Sequence, residues 1–229
     1  IAIRLYTWQP GAITIGLNQR AETSLDWNAI GSTLVIRRAT GGRALYHDPS
    51  ELTYSLALGA KAAQQLVPEV QTQRIAALIA VALRGFLGKM GIGADFVRRS
   101  NPLDQRPVAT QTAPCFASLA RFELVSEGRK VVASAQRRIG DTVLQHGSIK
   151  IAGIVFHPAL RGIGQHQSSV SAEQLIESEY LASASAMCFD AFGESFGLTS
   201  FSTGEVADQA VLNRASEIRS APLGRRDFH

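Results

Sequence analysis

Three β-rich runs follow one another between residues 122 and 151, separated by short turn pairs. Phe122 to Ser126 is closed by Glu127-Gly128, Lys130 to Arg138 is closed by Gly140-Asp141, and Thr142 to Ile151 follows. Strands joined this tightly return antiparallel, because a parallel neighbour needs a crossover of about a dozen residues or more. The segment therefore commits the chain to an antiparallel meander. A second feature supplies its cover. Ile75, Leu78, Ile79, Ala82, Leu83, Phe86 and Leu87 recur at spacings of three and four, which predicts an amphipathic helix over 72–90 stopped by Gly91. Shorter strands are expected at 1–6 and 12–16, divided by Pro10-Gly11, and again at 33–38, 51–58 and 92–97. A helical turn is expected over 24–30, capped by Thr23 or Ser24. Residues 98–114 hold three prolines and no periodicity, so they read as a long loop. From Ser171 the texture turns to Ala, Glu, Gln, Leu and Ser, and helices are expected. The predicted fold class is α/β of the α+β type, with a mixed, largely antiparallel sheet flanked by helices.

Composition narrows what such a fold does. In 229 residues, 45% are hydrophobic and 18% charged, enough for a packed core and too apolar for disorder. Two cysteines exclude a disulfide scaffold and a cysteine-rich zinc site. The histidines, among them His47, His146, His157 and His166, show no metal-ligand spacing, so no metal is expected. The apolar runs stop short of a membrane span, and Arg4 interrupts the opening run, so no secretory leader is read. The expected compartment is the cytoplasm. The net charge of +4 permits an acidic partner without choosing one. The chain opens directly on a strand-like segment without Met, and a missing N-terminal piece is expected.

Four segments carry residue types suited to chemistry. Arg37-Arg38-Ala39-Thr40-Gly41-Gly42-Arg43-Ala44 places two glycines and flanking arginines after a strand. Glycines let backbone approach a ligand and arginines suit an anion, but a plain turn with solvated arginines reads equally well. Pro114-Cys115-Phe116 puts a cysteine at the end of the long loop. Such a cysteine is reactive if a cation lowers its pKa, and Lys130, one strand and a turn further on, is the candidate. On the residues alone, a buried core cysteine is the heavier reading. In Lys130 to Gln136, strict alternation puts Lys130, Val132, Ser134 and Gln136 on one face and Val131, Ala133 and Ala135 on the other. Gln145-His146-Gly147-Ser148 marks either a ligand approach or an ordinary strand histidine. Cys188, among Ala186, Met187, Phe189, Ala191 and Phe192, reads as helix core.

Taken in order, RRATGGRALYHD, ELTYS, PCF, EGRKVVASAQRR and LQHGS resemble the lipoate/biotin protein ligase and octanoyltransferase family. The resemblance spans about residues 1–155. Within the family, the chain is most similar to cysteine-dependent octanoyltransferases acting on the glycine-cleavage H protein. Thr40-Gly41-Gly42-Arg43 stands where ligases usually carry a third glycine. Arg121-Phe122-Glu123-Leu124 stands where ATP-using ligases usually show an Asn-Asp pair. Two features depart. Ala133 replaces a glycine usual in the lysine motif, and the segment after Cys115 lacks an expected Pro and Trp.

The resemblance implies a single catalytic domain over 1–229, with 171–229 as a helical C-terminal segment. It implies octanoyl transfer from acyl carrier protein to a lysine of H protein or another lipoyl domain, through a thioester on Cys115. Lys130 is the implied partner that stabilises the thiolate and the carbonyl oxygen. Arg38, Thr40, Gly41, Gly42, Arg43, Ala44, Ser134, Ala135, Gln136, His146, Gly147 and Ser148 are the implied substrate-binding residues. Val131, Ala133 and Ala135 would line an acyl tunnel. No cofactor is required, because the donor thioester is already activated, and neither nucleic acid nor membrane is an expected partner. Three other readings stand beside it. An ATP-dependent lipoate–protein ligase would need ATP and Mg and leave Cys115 incidental. An octanoyl amidotransferase would draw its acyl group from H protein. A non-catalytic acyl- or protein-binding module would use the same fold.

Overall fold

The structure, a computed structural model, describes residues 1–96, 123–127, 129–150, 157–161, 178–200 and 202. The expected loop 98–114, Cys115, Gly128 and His166 lie outside them, as does most of the segment after 198. Among the described residues the first compact unit runs from Ile1 to Leu198.

Its main layer is a six-stranded sheet. The meander forms as expected: β7 (Leu124–Ser126), β8 (Arg129–Ile139) and β9 (Thr142–Ile149) are antiparallel neighbours. On the far side of β9 lies β5 (Leu52–Leu58), then β1 (Ala2–Tyr6), both antiparallel, and β6 (Asp95–Phe96) closes the other edge. The strand expected over 92–97 is confined to Asp95–Phe96 among the described residues. A second, three-stranded sheet has β2 (Ala12–Ile15) at its centre, parallel to β3 (Leu34–Arg37) and antiparallel to β4 (Leu45–His47).

Strand alternation decides what each face of the large sheet does. On β5, Leu52, Tyr54, Leu56 and Leu58 are all fully buried in one core. Across β9 they are joined by Val143 and Ile149, and across β8 by Val132. The helix α3 (Thr72–Lys89) covers this face with Ile75, Ile79, Ala82, Leu83, Phe86 and Leu87, the stripe its spacing predicts. Burying each large side chain contributes about 1.5–3 kcal/mol. A second helix, α4 (Ser178–Phe196), packs on α3 and brings Cys188, Ala191 and Phe192 into the same core. Cys188 is fully buried, as its apolar neighbours indicated.

Two local expectations are corrected. A short helix, α1 (Ala21–Ser24), precedes the turn expected over 24–30, which forms as a 3₁₀ turn at Trp27–Ala29 but without Thr23 or Ser24 as its cap. Its cap is Asp26, whose carboxylate accepts from the Asn28 N–H at 3.1 Å. A short helix, α2 (Ala60–Leu66), also precedes α3, where the sequence showed too few turns for a periodicity.

The second correction concerns the lysine strand. Val125 of β7 pairs with Lys130, but Leu124 pairs with Val132, so Val131 is an extra residue in β8. Val131 and Val132 both pack against the helix-side core. The alternation resets there, and Val131 does not share a face with Ala133 and Ala135 as strict alternation required. Lys130 is thereby turned away from the side occupied by Val132.

Candidate active site

The opposite face of the large sheet meets the three-stranded sheet, and a cavity of about 210 Å³ lies between them. Its apolar wall is built by Tyr6 and Trp8, by Ile36 and Leu45 of the small sheet, and by Ala133 and Ala135 of β8. Its polar wall carries Thr14, Arg38, His47, Thr53, His146 and Ser148. A chamber lined by methyls on one side and by hydroxyls, imidazoles and a guanidinium on the other suits an apolar chain ending in a polar reacting group.

The residues expected at the site fall into three groups. Arg38, Ser134, Ala135, His146, Gly147 and Ser148 border the cavity. A second group shapes the adjoining turn. Arg38 donates to the carbonyls of Gly41 at 3.1 Å and Arg43 at 2.9 Å, so the guanidinium organises the turn from within. Thr40 is buried, with Oγ1 2.5 Å from His146 Nε2. Gly42 has φ 97°, a conformation that favours glycine, and its carbonyl occupies the space a Cβ on Gly16 would need. Ala44 lies in the smaller core with Ile13, Ile15 and Leu25. In the third group the polar atoms are bonded to neighbouring side chains, those of Ser134 included. Ser134 Oγ bonds Tyr54 Oη at 2.7 Å on the helix side of the sheet, and Gln136 donates to Gln145 Oε1 at 2.8 Å. Lys130 Nζ donates to Glu123 Oε1 at 2.5 Å, and both side chains are almost fully buried. Cys115 lies outside the described residues.

Sequence reasoning missed a buried polar cluster behind the polar wall. Glu51, fully buried at the head of β5, accepts from Thr53 Oγ1 at 2.7 Å, Ser148 Oγ at 2.7 Å and Lys150 Nζ at 2.5 Å. His47 Nδ1 lies 2.5 Å from its Oε1. Lys150 also donates to Asp48 Oδ2 at 2.6 Å and to the Tyr46 carbonyl at 3.2 Å. Asp48 in turn accepts from the Ser50 hydroxyl and, at 3.0 Å, from its N–H. Burial pushes the Glu51 carboxyl up, but the charges and hydrogen bonds of His47 and Lys150 outweigh it and hold the pKa at about 2. The signal was available: Glu51 and Lys150 are charges set in otherwise apolar strand runs, where a charge persists only if paired.

His146 is the second perturbed group. Burial, then electrostatic repulsion from Arg38 and His47, lower its pKa from 6.5 to about 4, so it is neutral at physiological pH. A folded-state pKa below the unfolded one means that stability is full above pH 6.5 and is lost as pH falls towards 4, because the unfolded chain takes the proton first. His146→Gln is expected to remove most of this loss, about 3 kcal/mol between pH 7 and pH 4 in the parent chain. Urea unfolding midpoints at the two pH values measure it. An equal acid loss in both proteins would refute the assignment.

Among the described residues, no group of three or more His, Cys, Asp or Glu side chains is placed to hold a metal ion, and no helix is long and apolar enough to cross a membrane.

Residues 1–174 match the lipoyl protein ligase A/B catalytic domain. The chain belongs to that family. Among its relatives is the octanoyltransferase LipM of Kyrpidia tusciae, 39% identical over 149 residues, which are 64% of this chain and 53% of that protein. Another is the octanoyltransferase LipM of Staphylococcus aureus, 36% identical over 151 residues, 64% of this chain and 53% of the relative. The chain thus spans about half the length of the relatives it matches. Among solved structures, lipoate-protein ligase A bound with ATP superposes with a TM-score of 0.67 at 17% identity, covering 93% of this chain and 79% of that one. A bi-partite lipoate protein ligase from Thermoplasma acidophilum gives 0.63 at 15% identity, with 93% and 78% covered. These structural likenesses establish the family's catalytic-domain fold, a mixed, largely antiparallel sheet flanked by helices, as expected from the sequence.

Proposed function

We propose that this member of the lipoyl protein ligase A/B family transfers an octanoyl group from acyl carrier protein to a lysine of a lipoyl domain or H protein, by way of a thioester on Cys115. The observation that carries the reading is the cavity between the two sheets, an apolar chamber with a polar wall. An eight-carbon chain buried there gains about 0.8 kcal/mol per methylene, so apolar contact supplies the affinity. The identity with octanoyltransferases supports the choice of reaction.

The resemblance implies Cys115 as the acyl-bearing residue, and the setting of the other cysteine supports that choice. Cys188 is fully buried among helix side chains, and burial pushes its thiol up to about 12. A thiol that does not ionise is a poor nucleophile, which counts against Cys188. Lys130 would offer positive charge to the thiolate and to the carbonyl oxygen once its pairing with Glu123 is shared with substrate. The route needs no ATP, Mg or other cofactor, because thioester-to-amide transfer is downhill.

Intact-protein mass spectrometry tests the reading. Incubated with octanoyl acyl carrier protein and no ATP, the full chain is expected to gain one octanoyl group as a hydroxylamine-sensitive thioester at Cys115 and to pass it to a lipoyl domain. Acylation of the lipoyl domain that occurs only with ATP and free acid would replace this reading with that of a ligase.

A further inference from the structure

We propose that Thr14 and His47 form a proton relay for the acceptor amine, with Glu51 as the positioning residue that holds the imidazole. The proposal rests on the acyl-transfer reading above and deepens it.

The geometry is a hydroxyl, an imidazole and a carboxylate in series along the cavity wall. Thr14 Oγ1 is 2.8 Å from His47 Nε2, and His47 Nδ1 is 2.5 Å from Glu51 Oε1. All three residues are buried, and Thr14 and His47 border the cavity. The relay takes the imidazole in its neutral form, and the partners then set the directions. Glu51 accepts from Thr53, Ser148 and Lys150, so it is a carboxylate that receives the Nδ1–H of His47. The Nε2 lone pair then faces Thr14. The Arg38 guanidinium donates to Thr14 Oγ1 at 2.7 Å, leaving the threonine's own O–H for His47. Trp8 stacks on the imidazole with centroids 4.2 Å apart and an interplanar angle of 19°, and donates from Nε1 to Thr53 at 2.8 Å. The ring therefore cannot turn without breaking contacts on both sides. The charged and titratable groups around His47 are Glu51 and, through it, Lys150 and Asp48, together with Arg38 behind Thr14 and His146 across the cavity.

Aminolysis of a thioester needs such a relay. The lysine arrives as an ammonium and must first lose a proton, which passes to Thr14 Oγ1 as the Thr14 hydroxyl proton passes to His47 Nε2. The neutral amine nitrogen then attacks the acyl carbonyl carbon, the C–N bond forms, and the C–S bond breaks with its electron pair left on sulfur. The surplus proton on nitrogen goes to the departing thiolate, and the imidazolium releases its own to water, restoring thiol and neutral imidazole. Proton transfer of this kind contributes about 10²–10⁴-fold.

The test separates loading from transfer. In Thr14→Val, transfer of octanoyl from the enzyme to a lipoyl-domain lysine is expected to fall about 10²-fold more than loading from octanoyl acyl carrier protein. Discharge of the same acyl-enzyme by hydroxylamine, a nucleophile already neutral near neutral pH, should fall no further than loading does. Thr14→Ser, which keeps the hydroxyl, should restore transfer, and His47→Asn should reproduce the valine variant's split. Equal slowing of loading, lysine transfer and hydroxylamine discharge would assign Thr14 a purely structural role and overturn the relay. If the parent chain loads no octanoyl group at all, the acyl-transfer reading fails and the relay with it. Loading and transfer in the parent with no split in the variants overturns the relay alone.

Discussion

Cys115→Ser is expected to lower octanoyl transfer by at least about 10³-fold, the scale on which losing a reacting nucleophile is felt. A serine hydroxyl is not ionised at neutral pH, and any oxyester it formed would be a poorer donor to an amine than a thioester. The comparison that gives the result meaning is Cys188→Ser. That side chain lies in the core between α4 and the sheet, its thiol pushed up to about 12, and no step of the transfer needs it. Its replacement should lower stability through the buried hydroxyl while sparing the rate per folded molecule. Single-turnover transfer by the two variants, corrected for folded fraction, checks both. Full ATP-dependent activity in Cys115→Ser would identify the protein as a ligase and the cysteine as incidental.

Lys150→Met is expected to give the largest loss of stability, about 3–5 kcal/mol, because it leaves Asp48 and Glu51 buried without their shared ammonium. The acid limb should change with it. In the parent chain the Glu51 carboxyl is held at about 2 against a usual 4.5, so its contribution is complete above pH 4.5 and is lost as pH falls towards 2. Without Lys150 the carboxyl rises and that contribution shrinks. Urea unfolding at pH 7 and pH 3 should show a smaller acid loss in the variant than in the parent. A variant as stable as the parent at pH 7 would mean that the cluster is solvated rather than buried.

Much of the scaffold was legible because its signals are local. The turn at Gly140-Asp141 and the heptad-like spacing of Ile75 to Leu87 each fix an element from a few neighbouring residues, and both elements form where the sequence puts them. The Thr40-Gly41-Gly42 turn and the His146-Gly147 strand were likewise readable as segments, and they meet through the contact between Thr40 and His146. The sense of the lysine strand was not legible. A single extra residue, Val131, reverses which face Lys130 occupies, and nothing in the run RKVVASAQ marks where the extra residue falls. The polar cluster was missed for another reason, although its charges stood in view. His47 and Glu51 stand four residues apart, but Lys150 and Ser148 come from the far end of β9. The pairing of β5 with β9 is what makes them neighbours, with Glu51 and Ser148 bonded across 97 residues of sequence.

That separation has a consequence for how the chamber comes into being. The β8–β9 hairpin closes through a two-residue turn and needs no help from the rest of the chain, a pairing that forms in roughly 1–10 μs in isolation. The strand β5 enters the same sheet from nearly a hundred residues away, and it carries with it the head of the carboxylate cluster. Closing so large a loop is entropically costly before any contact offsets it, so this strand docks after the hairpin. The chamber between the sheets is therefore completed only once that strand has docked. A ligand that fits it binds the finished fold and nothing earlier, and so acts as a thermodynamic latch. Filled at a hundred times its dissociation constant, it holds the native state by about 2.7 kcal/mol.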